Sequence, residues 1–179
     1  EALSARVAAA VAAVEALAAQ LAQPQQAGDV LLAERRLEHL HRVVGAAQID
    51  NVTAIDSGRL HRIDGHRSVK AHVCHVLKVS PGEAGRRAKL ARALRDLPDI
   101  AAALRAGRIS LDHALVVARV HANPRITEKV PGRQEKFLRW AAEQSFDGFK
   151  DKALDWERRV DMNGASKAHE RHQANRNVR

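Results

Sequence analysis

Aromatic residues are scarce in this chain of 179 residues, which has three phenylalanines, two tryptophans and no tyrosine. Runs of β-branched residues are short, whereas alanine, leucine and arginine are abundant. Aromatic and β-branched residues favour strands, while alanine, leucine and arginine favour helices. The composition therefore predicts an all-α protein, and the chain is long enough to bury a core as one domain or two small ones.

Cysteine is almost absent as well, since Cys74 is the only one. A single cysteine excludes an internal disulfide and fits a reducing cytoplasm. The only Cys/His cluster is His72, Cys74 and His75. On a helix His72 and His75 share a face while Cys74 points away, so the three cannot easily hold one ion. We therefore expect no metal site and no cofactor.

Long hydrophobic runs and catalytic constellations are lacking too. The most apolar stretch, residues 7–22, contains Glu15 and is shorter than the roughly 20 residues that span a bilayer. It is expected to be a soluble helix, with no membrane as partner. The chain shows no nucleophile with a base and an orienting group, and no glycine-rich phosphate loop. These absences predict a binding module that is not an enzyme, with no catalytic residues.

Capping signals divide residues 68–121 into four short helices. Ser80, Pro81 and Glu83 combine an N-cap residue, a first-turn proline and a capping-box acid. Gly107 suits the left-handed position at a helix end, and Ser110 starts the next helix. The expected helices cover residues 68–78, 81–97, 99–106 and 111–122. The first two, joined by a brief connection, are typical of a helix-turn-helix.

The flanking regions are also predicted to be helical. A helix over 2–22, a polar break at 24–28 and a long helix ending near Ser57 suggest an antiparallel hairpin. The sequence leaves open whether that hairpin packs on itself, on a second copy or on the rest of the chain. Helices near 133–144 and 147–160 precede a basic tail. The predicted domains are an N-terminal helical arm (1–64), a helix-turn-helix-like core (65–160) and the tail (161–179), which leads to an absent C-terminal module.

Positive charge is concentrated in the helix-turn-helix region and in the tail. Residues 57–108 carry 12 basic and 4 acidic side chains, whereas residues 1–56 carry 4 and 7. Localised basic charge is expected of a protein with a polyanionic partner, although arginine-rich coding can also produce a basic surface. On a helix over 81–97, the outward face opposite Leu90 and Leu94 is predicted to carry Gly85, Ala88, Lys89 and Arg92. The predicted DNA-binding residues are Arg67, Lys70, Arg86, Arg87, Lys89, Arg92 and Arg95.

Several short motifs resemble a known family. They read GHRS at 65–68, VSPGEA at 79–84, LRDLP at 94–98, AGRIS at 106–110 and DHA at 112–114. The chain resembles the actinobacterial domain of unknown function 222, which includes the mycobacterial thirteen-E-twelve repeat proteins. The likeness covers most of the chain, is densest over 65–121, and includes residues 161–165, which resemble a later turn of that family. It implies an HNH nuclease module after this region and a DNA context, with no catalytic residues here.

A weaker likeness joins the central helices to the DNA-binding helices of ParB-type partition proteins. There too a serine-led helix ends in Leu-Pro and is followed by a Gly-x-Leu/Ile-Ser motif, although residues 80–98 are about one turn longer here. The sequence thus predicts a DNA-binding helical module that positions an HNH-type nuclease lying outside this chain. Its expected partner is duplex DNA, and its expected location is the cytoplasm, at the nucleoid. The alternative is a protein-interaction module without DNA contact, which forms a homodimer through the N-terminal helices.

Overall fold

The computed structural model describes residues 2–161. This part of the chain forms eight α-helices and three short 3-10 helices, and contains no strand, so the all-α prediction is confirmed. The α-helices are α1 (Ala2–Leu21), α2 (Ala27–Ser57), α3 (Val69–Val76), α4 (Pro81–Ala93), α5 (Pro98–Arg105), α6 (Leu111–His121), α7 (Gln134–Glu143) and α8 (Phe146–Val160). The 3-10 helices are Leu60–Arg62, Thr127–Lys129 and Pro131–Arg133. Beyond Asp161, the predicted turn and basic tail lie outside the described residues.

The described residues divide into two compact units, one that ends at Glu38 and one that begins at His39, and α2 runs through the division. In the first unit, α1 buries none of its residues. The expected hairpin is therefore not packed in a way that buries the apolar side chains of α1. Helix α1 has 20 residues and is thus longer than the apolar stretch 7–22. Its mean hydropathy is 1.6, so by length and composition it could cross a membrane.

The second unit holds one hydrophobic core. Its largest fully buried side chains include Phe137, Phe149, Leu90, Leu97 and Ile100. Helix α4 packs against α3 and α6, while α8 packs against α6 and α7. The C-terminal half of α2 adds Ala46, Ile49 and Val52 to the same core. This core fixes the positions of α3 and α4, which carry most of the predicted DNA-binding residues.

Serine residues begin four of these helices. The Oγ atoms of Ser68, Ser80, Ser110 and Ser145 accept hydrogen bonds from the backbone N–H three residues further on, at 3.2, 3.1, 3.4 and 3.3 Å. Ser80 and Ser110 therefore act as predicted, because an N-cap oxygen satisfies an amide that has no partner within the helix. The second half of the expected capping box is not formed. The Glu83 carboxylate instead pairs with Arg86 and Arg87, one turn further along α4.

Helix α4 ends four residues before the predicted end at Leu97. The amides of Arg95 and Asp96 bond to carbonyls only three residues back, at 3.2 and 3.1 Å, so the chain tightens into a turn after Ala93. Proline disfavours helical geometry in the preceding residue, and Leu97 before Pro98 has φ −127° and ψ 65°. The turn leaves Leu97 fully buried, and Pro98 becomes the first residue of α5.

Two glycines allow close contacts with α2. A Cβ on Gly45 would lie 2.8 Å from Leu111 Cδ1, so this glycine lets α2 approach α6 rather than breaking the helix there. Gly107 has φ +66°, as its predicted left-handed position requires, and a Cβ there would lie 2.6 Å from the His39 ring. The amides of Gly107 and Arg108 bond to the carbonyls of Leu104 and Ala103, which is the Schellman pattern.

Candidate nucleic-acid interface

Helices α3 and α4 pack against each other and are joined by residues 77–80. Lys78 in this connection has φ +55°, a left-handed conformation that lets the chain turn sharply. Val69 and Val73 of α3 and Ala84 and Ala88 of α4 are all buried in the core. Ala88 was expected on the outward face of α4. It is only 5% exposed, because α4 is covered on its alanine side as well as on its leucine side.

The remaining outward face of α4 is narrow and basic. Arg86, Lys89 and Arg92 are exposed and lie at spacings of three, which puts them along one side of the helix. Gly85 lies beside this face, and a Cβ there would be 3.7 Å from Cε of Lys70, in α3. The Lys70 side chain therefore lies across α4 at Gly85, one turn before Lys89. The fold thus brings cations from α3 and α4 to the same surface.

Some of the predicted cations are engaged by Glu83. Arg87 Nε donates to Glu83 Oε1 at 2.8 Å, and Arg86 donates to Oε2. Hydrogen bonds from Arg87 and then Arg86 hold the pKa of Glu83 below its usual value, although burial opposes the shift. The Arg87 side chain is only 18% exposed, so it lies mainly against the protein. Arg86 is mostly exposed and can still meet a phosphate through its other guanidinium nitrogen.

Asp56 of α2 engages two further predicted residues. Arg95 donates to Asp56 Oδ2 at 2.9 Å, and Arg92 Nε lies 3.3 Å from the same oxygen. A hydrogen bond from Arg92, with the charges of Arg92 and Arg95, holds the pKa of Asp56 low, while burial opposes this. Sequence reasoning missed this contact, because Asp56 is 36 residues from Arg92 and no local pattern joins them. The pair connects α2 to the end of α4.

The seven predicted residues therefore fall into two groups. Arg86, Arg87, Arg92 and Arg95 each contact an acidic side chain of the protein. Arg67, Lys70 and Lys89 are exposed and form no ion pair within the part of the chain that the structure describes. A phosphate would meet these three cations without displacing an internal partner. They are the best candidates for direct contact with a polyanion.

Histidines gather beside α3. The His66 ring centroid lies 5.3 Å from that of His72 and 5.2 Å from that of His75, and His66 Nδ1 lies 2.8 Å from the Asp64 carbonyl oxygen. Cys74 points elsewhere, as predicted, and its Sγ lies 3.3 Å from the Val79 carbonyl oxygen. Within residues 2–161, no group of three His, Cys, Asp or Glu side chains is arranged to hold a metal ion.

His113 is a packing residue at the start of α6. Its Nδ1 lies 2.7 Å from Ser110 Oγ, and its ring packs against Phe146 and Phe149. Burial, with a smaller contribution from the positive charge of Arg42, lowers the pKa of His113. The neutral form of the ring is thus favoured where it packs against two phenylalanines, and its role is structural.

Comparison with known proteins gives one match. The model of a family described as a domain of unknown function (DUF222) matches residues 31–178. No curated protein and no solved structure matches the chain. The match covers most of the chain, including every helix from α3 to α8, and the family description states no activity.

Proposed function

The chain belongs to the DUF222 family, and from its surface we propose that it binds duplex DNA and positions an HNH-type nuclease that follows it. The observation that carries the proposal is the basic surface formed by Lys70 and Lys89 across Gly85. Neither lysine forms an ion pair within the described residues, so both are available to phosphates. Phosphate contacts of this kind position a protein on DNA without reading its sequence.

The geometry of α3 and α4 supports the same proposal. A short turn joins two packed helices, and the exposed side of the second helix carries cations, as in a helix-turn-helix that presents one helix to DNA. Gly82 adds little bulk one turn before the exposed cations of α4, while Gly85 gives the Lys70 side chain room to lie against the helix. Asp56 and Glu83 hold neighbouring arginines in place beside the two lysines. Direct contact is thus assigned to the lysines and Arg67, and support to the paired arginines.

The two lysines provide the test. Lys70→Glu with Lys89→Glu should weaken duplex binding at low salt and lower the magnitude of the slope of log affinity against log salt by about 1.8. Arg92 is a poorer probe, because reversing its charge would also break the contact with Asp56. The matched control is Lys150→Glu with Lys152→Glu, two exposed lysines of α8. Fluorescence anisotropy with a random duplex measures all three proteins.

Equal binding by both double variants, or no binding by the parent at about 50 mM salt, would defeat the DNA proposal. The alternative is an interaction module without DNA contact. It is favoured by the internal pairing of Arg86, Arg87, Arg92 and Arg95, which gives much of the positive charge a structural role. In that case neither double variant changes DNA affinity, and the module acts through a protein surface.

The nuclease part of the proposal needs a longer protein. The proposal assigns DNA cleavage to an HNH module outside residues 1–179, so this chain alone is expected not to cleave plasmid DNA with magnesium, manganese or zinc. In a protein that includes the module, Lys70→Glu with Lys89→Glu should reduce cleavage at low enzyme concentration by weakening binding. Unchanged cleavage by that variant would separate the nuclease from this surface. Metal-dependent nicking by residues 1–179 that survives repurification would reveal a catalytic site within this chain.

A further inference from the structure

Helix α1 presents an apolar stripe that nothing in the described chain buries. Its six leucine and valine residues fall within about 120° of the helix circumference at 100° per residue. They are Leu3, Val7, Val11, Val14, Leu17 and Leu21. Exposure ranges from 76% at Leu3 to 41% at Val14, and it is lower still at Leu17 and Leu21, neither of which is buried. The opposite side of α1 is mainly alanine.

The apolar side chains of such a stripe contribute to stability only when another surface covers them. Full burial of one leucine or valine side chain contributes about 1.5–3 kcal/mol, and six of them lie along a helix about 30 Å long. The core of the second unit contains no residue of α1. The contacts described for residues 2–161 therefore leave the stripe largely uncovered.

The spacing of the stripe matches a second copy of itself. Five of the six stripe residues, together with Ala10, lie at positions 3, 7, 10, 14, 17 and 21. These positions follow alternating steps of four and three, the spacing of a coiled-coil seam, and Val11 flanks the seam. The series is symmetric about residue 12. In an antiparallel pair Leu3 therefore faces Leu21 of the second copy, Val7 faces Leu17, and Ala10 faces Val14. Large residues meet at both ends and a small residue meets valine near the middle, so the pair is self-complementary about a twofold axis.

The polar residues of α1 agree with this orientation. Arg6 and Gln20 lie on the same edge of the seam, and an antiparallel pair brings Arg6 of one copy beside Gln20 of the other. A parallel pair in register would instead place Arg6 beside Val11. Glu15 lies outside the seam in either arrangement. We infer that α1 is a self-association surface, which forms an antiparallel coiled coil with α1 of a second copy of this chain.

A lipid bilayer is the rival occupant, because α1 has the length and hydropathy of a spanning helix. The second copy is favoured because α1 carries Arg6 and Glu15, and a charged side chain within the hydrocarbon region costs several kcal/mol. The inference does not depend on DNA binding, since none of the predicted DNA-binding residues lies in α1.

Sedimentation equilibrium of the whole chain tests the inference. The parent should be a dimer at about 100 µM, an assay concentration at which a micromolar complex is largely formed. Val7→Glu with Val14→Glu should convert it to a monomer. The matched control, Ala5→Glu with Ala12→Glu, adds the same charge at the same spacing on the outer side of α1, and should stay dimeric. A monomeric parent, a seam variant that stays dimeric, or a control that dissociates equally would overturn the inference, as would flotation of the parent with phosphatidylcholine vesicles.

Cross-linking tests the orientation. Leu3→Cys and Leu21→Cys are made separately, each with Cys74→Ala so that no other thiol remains. Oxidation of a mixture should give a disulfide between the two variants, because positions 3 and 21 face each other in the antiparallel pair. Neither variant alone should cross-link, since identical positions would lie about 27 Å apart, beyond the reach of a disulfide. Cross-linking within each variant alone would show a parallel pair and contradict the inferred geometry.

Discussion

Helices α1 and α4 show opposite relations between composition and burial. Helix α1 consists mainly of alanine, leucine and valine and buries no residue. Helix α4 carries four cations among 13 residues, yet it buries Ala84, Ala88, Leu90, Ala91 and Ala93. The difference lies in their neighbours, because α4 packs against α3 and α6. An apolar pattern therefore identifies a face that needs a partner, and the fold decides whether the same chain provides one.

Truncation of one leucine in each helix should give the largest contrast. Leu90→Ala should lower the free energy of unfolding of the second unit by about 2–5 kcal/mol, because the side chain is 1% exposed and a cavity remains. Leu3→Ala should change it by less than about 0.5 kcal/mol at a concentration where the chain is monomeric. Urea denaturation followed by circular dichroism measures both. Similar losses in the two variants would mean that α1 contributes to the core.

The next contrast concerns hydrogen bonding by a glutamine. Gln134 is buried, and its Oε1 accepts from the amides of Asp99 and Ile100 at 3.0 and 3.2 Å, so α7 caps the start of α5. Gln134→Leu should cost about 1–3 kcal/mol, because buried amides lose their acceptor. Gln20→Leu in α1 is the control, since that side chain is exposed. Thermal melts compare the melting temperatures of the two variants. An unchanged melting temperature for Gln134→Leu would show that water accepts the hydrogen bonds that the Gln134 side chain accepted.

A smaller effect is expected from the serine at the start of α4. Ser80→Ala removes the acceptor for the Glu83 amide and should cost about 1 kcal/mol. Ser4→Ala replaces an exposed serine inside α1 and should be neutral or slightly stabilising, because alanine is the better helix former. Chemical denaturation of the pair gives the difference. A loss of stability in Ser4→Ala as large as that in Ser80→Ala would contradict the assignment of Ser80 as the N-cap.

The smallest predicted effect concerns the pH-dependent ion pairs between α2 and the end of α4. Helix α1 has no corresponding ion pair among the described residues. Because the pKa of Asp56 is lowered in the folded protein from 3.8, its stabilising contribution is present above that pH and is lost as pH falls through the folded value. Asp56→Asn should cost less than about 1 kcal/mol at pH 7, since its arginine partners are largely exposed. The difference between parent and variant should shrink as the pH is lowered below 3.8 in urea titrations. A constant difference would mean that the carboxylate charge contributes nothing.

Much of the fold could be predicted because helix signals are local. Ser80 and Ser110 cap helices as expected, and Gly107 takes the left-handed conformation that ends α5. The end of α4 was predicted four residues too late, because leucines continue the helical spacing through a turn that buries Leu97. Gly45 lies inside the continuous helix α2, where α6 approaches it. Local spacing cannot show that approach.

The candidate interface, too, could be predicted from the sequence only in part. The sequence alone located its cations, because their spacing on a helix follows from the helical repeat. It could not show that Asp56 would engage Arg92 and Arg95, or that Lys70 would lie across Gly85 towards Lys89. Those contacts join residues far apart in the chain or on different helices, and only packing around a shared core brings them within a few ångströms. Helix positions and charge distribution were thus set by the sequence locally, whereas the tertiary structure decided which cations are paired and which stay available.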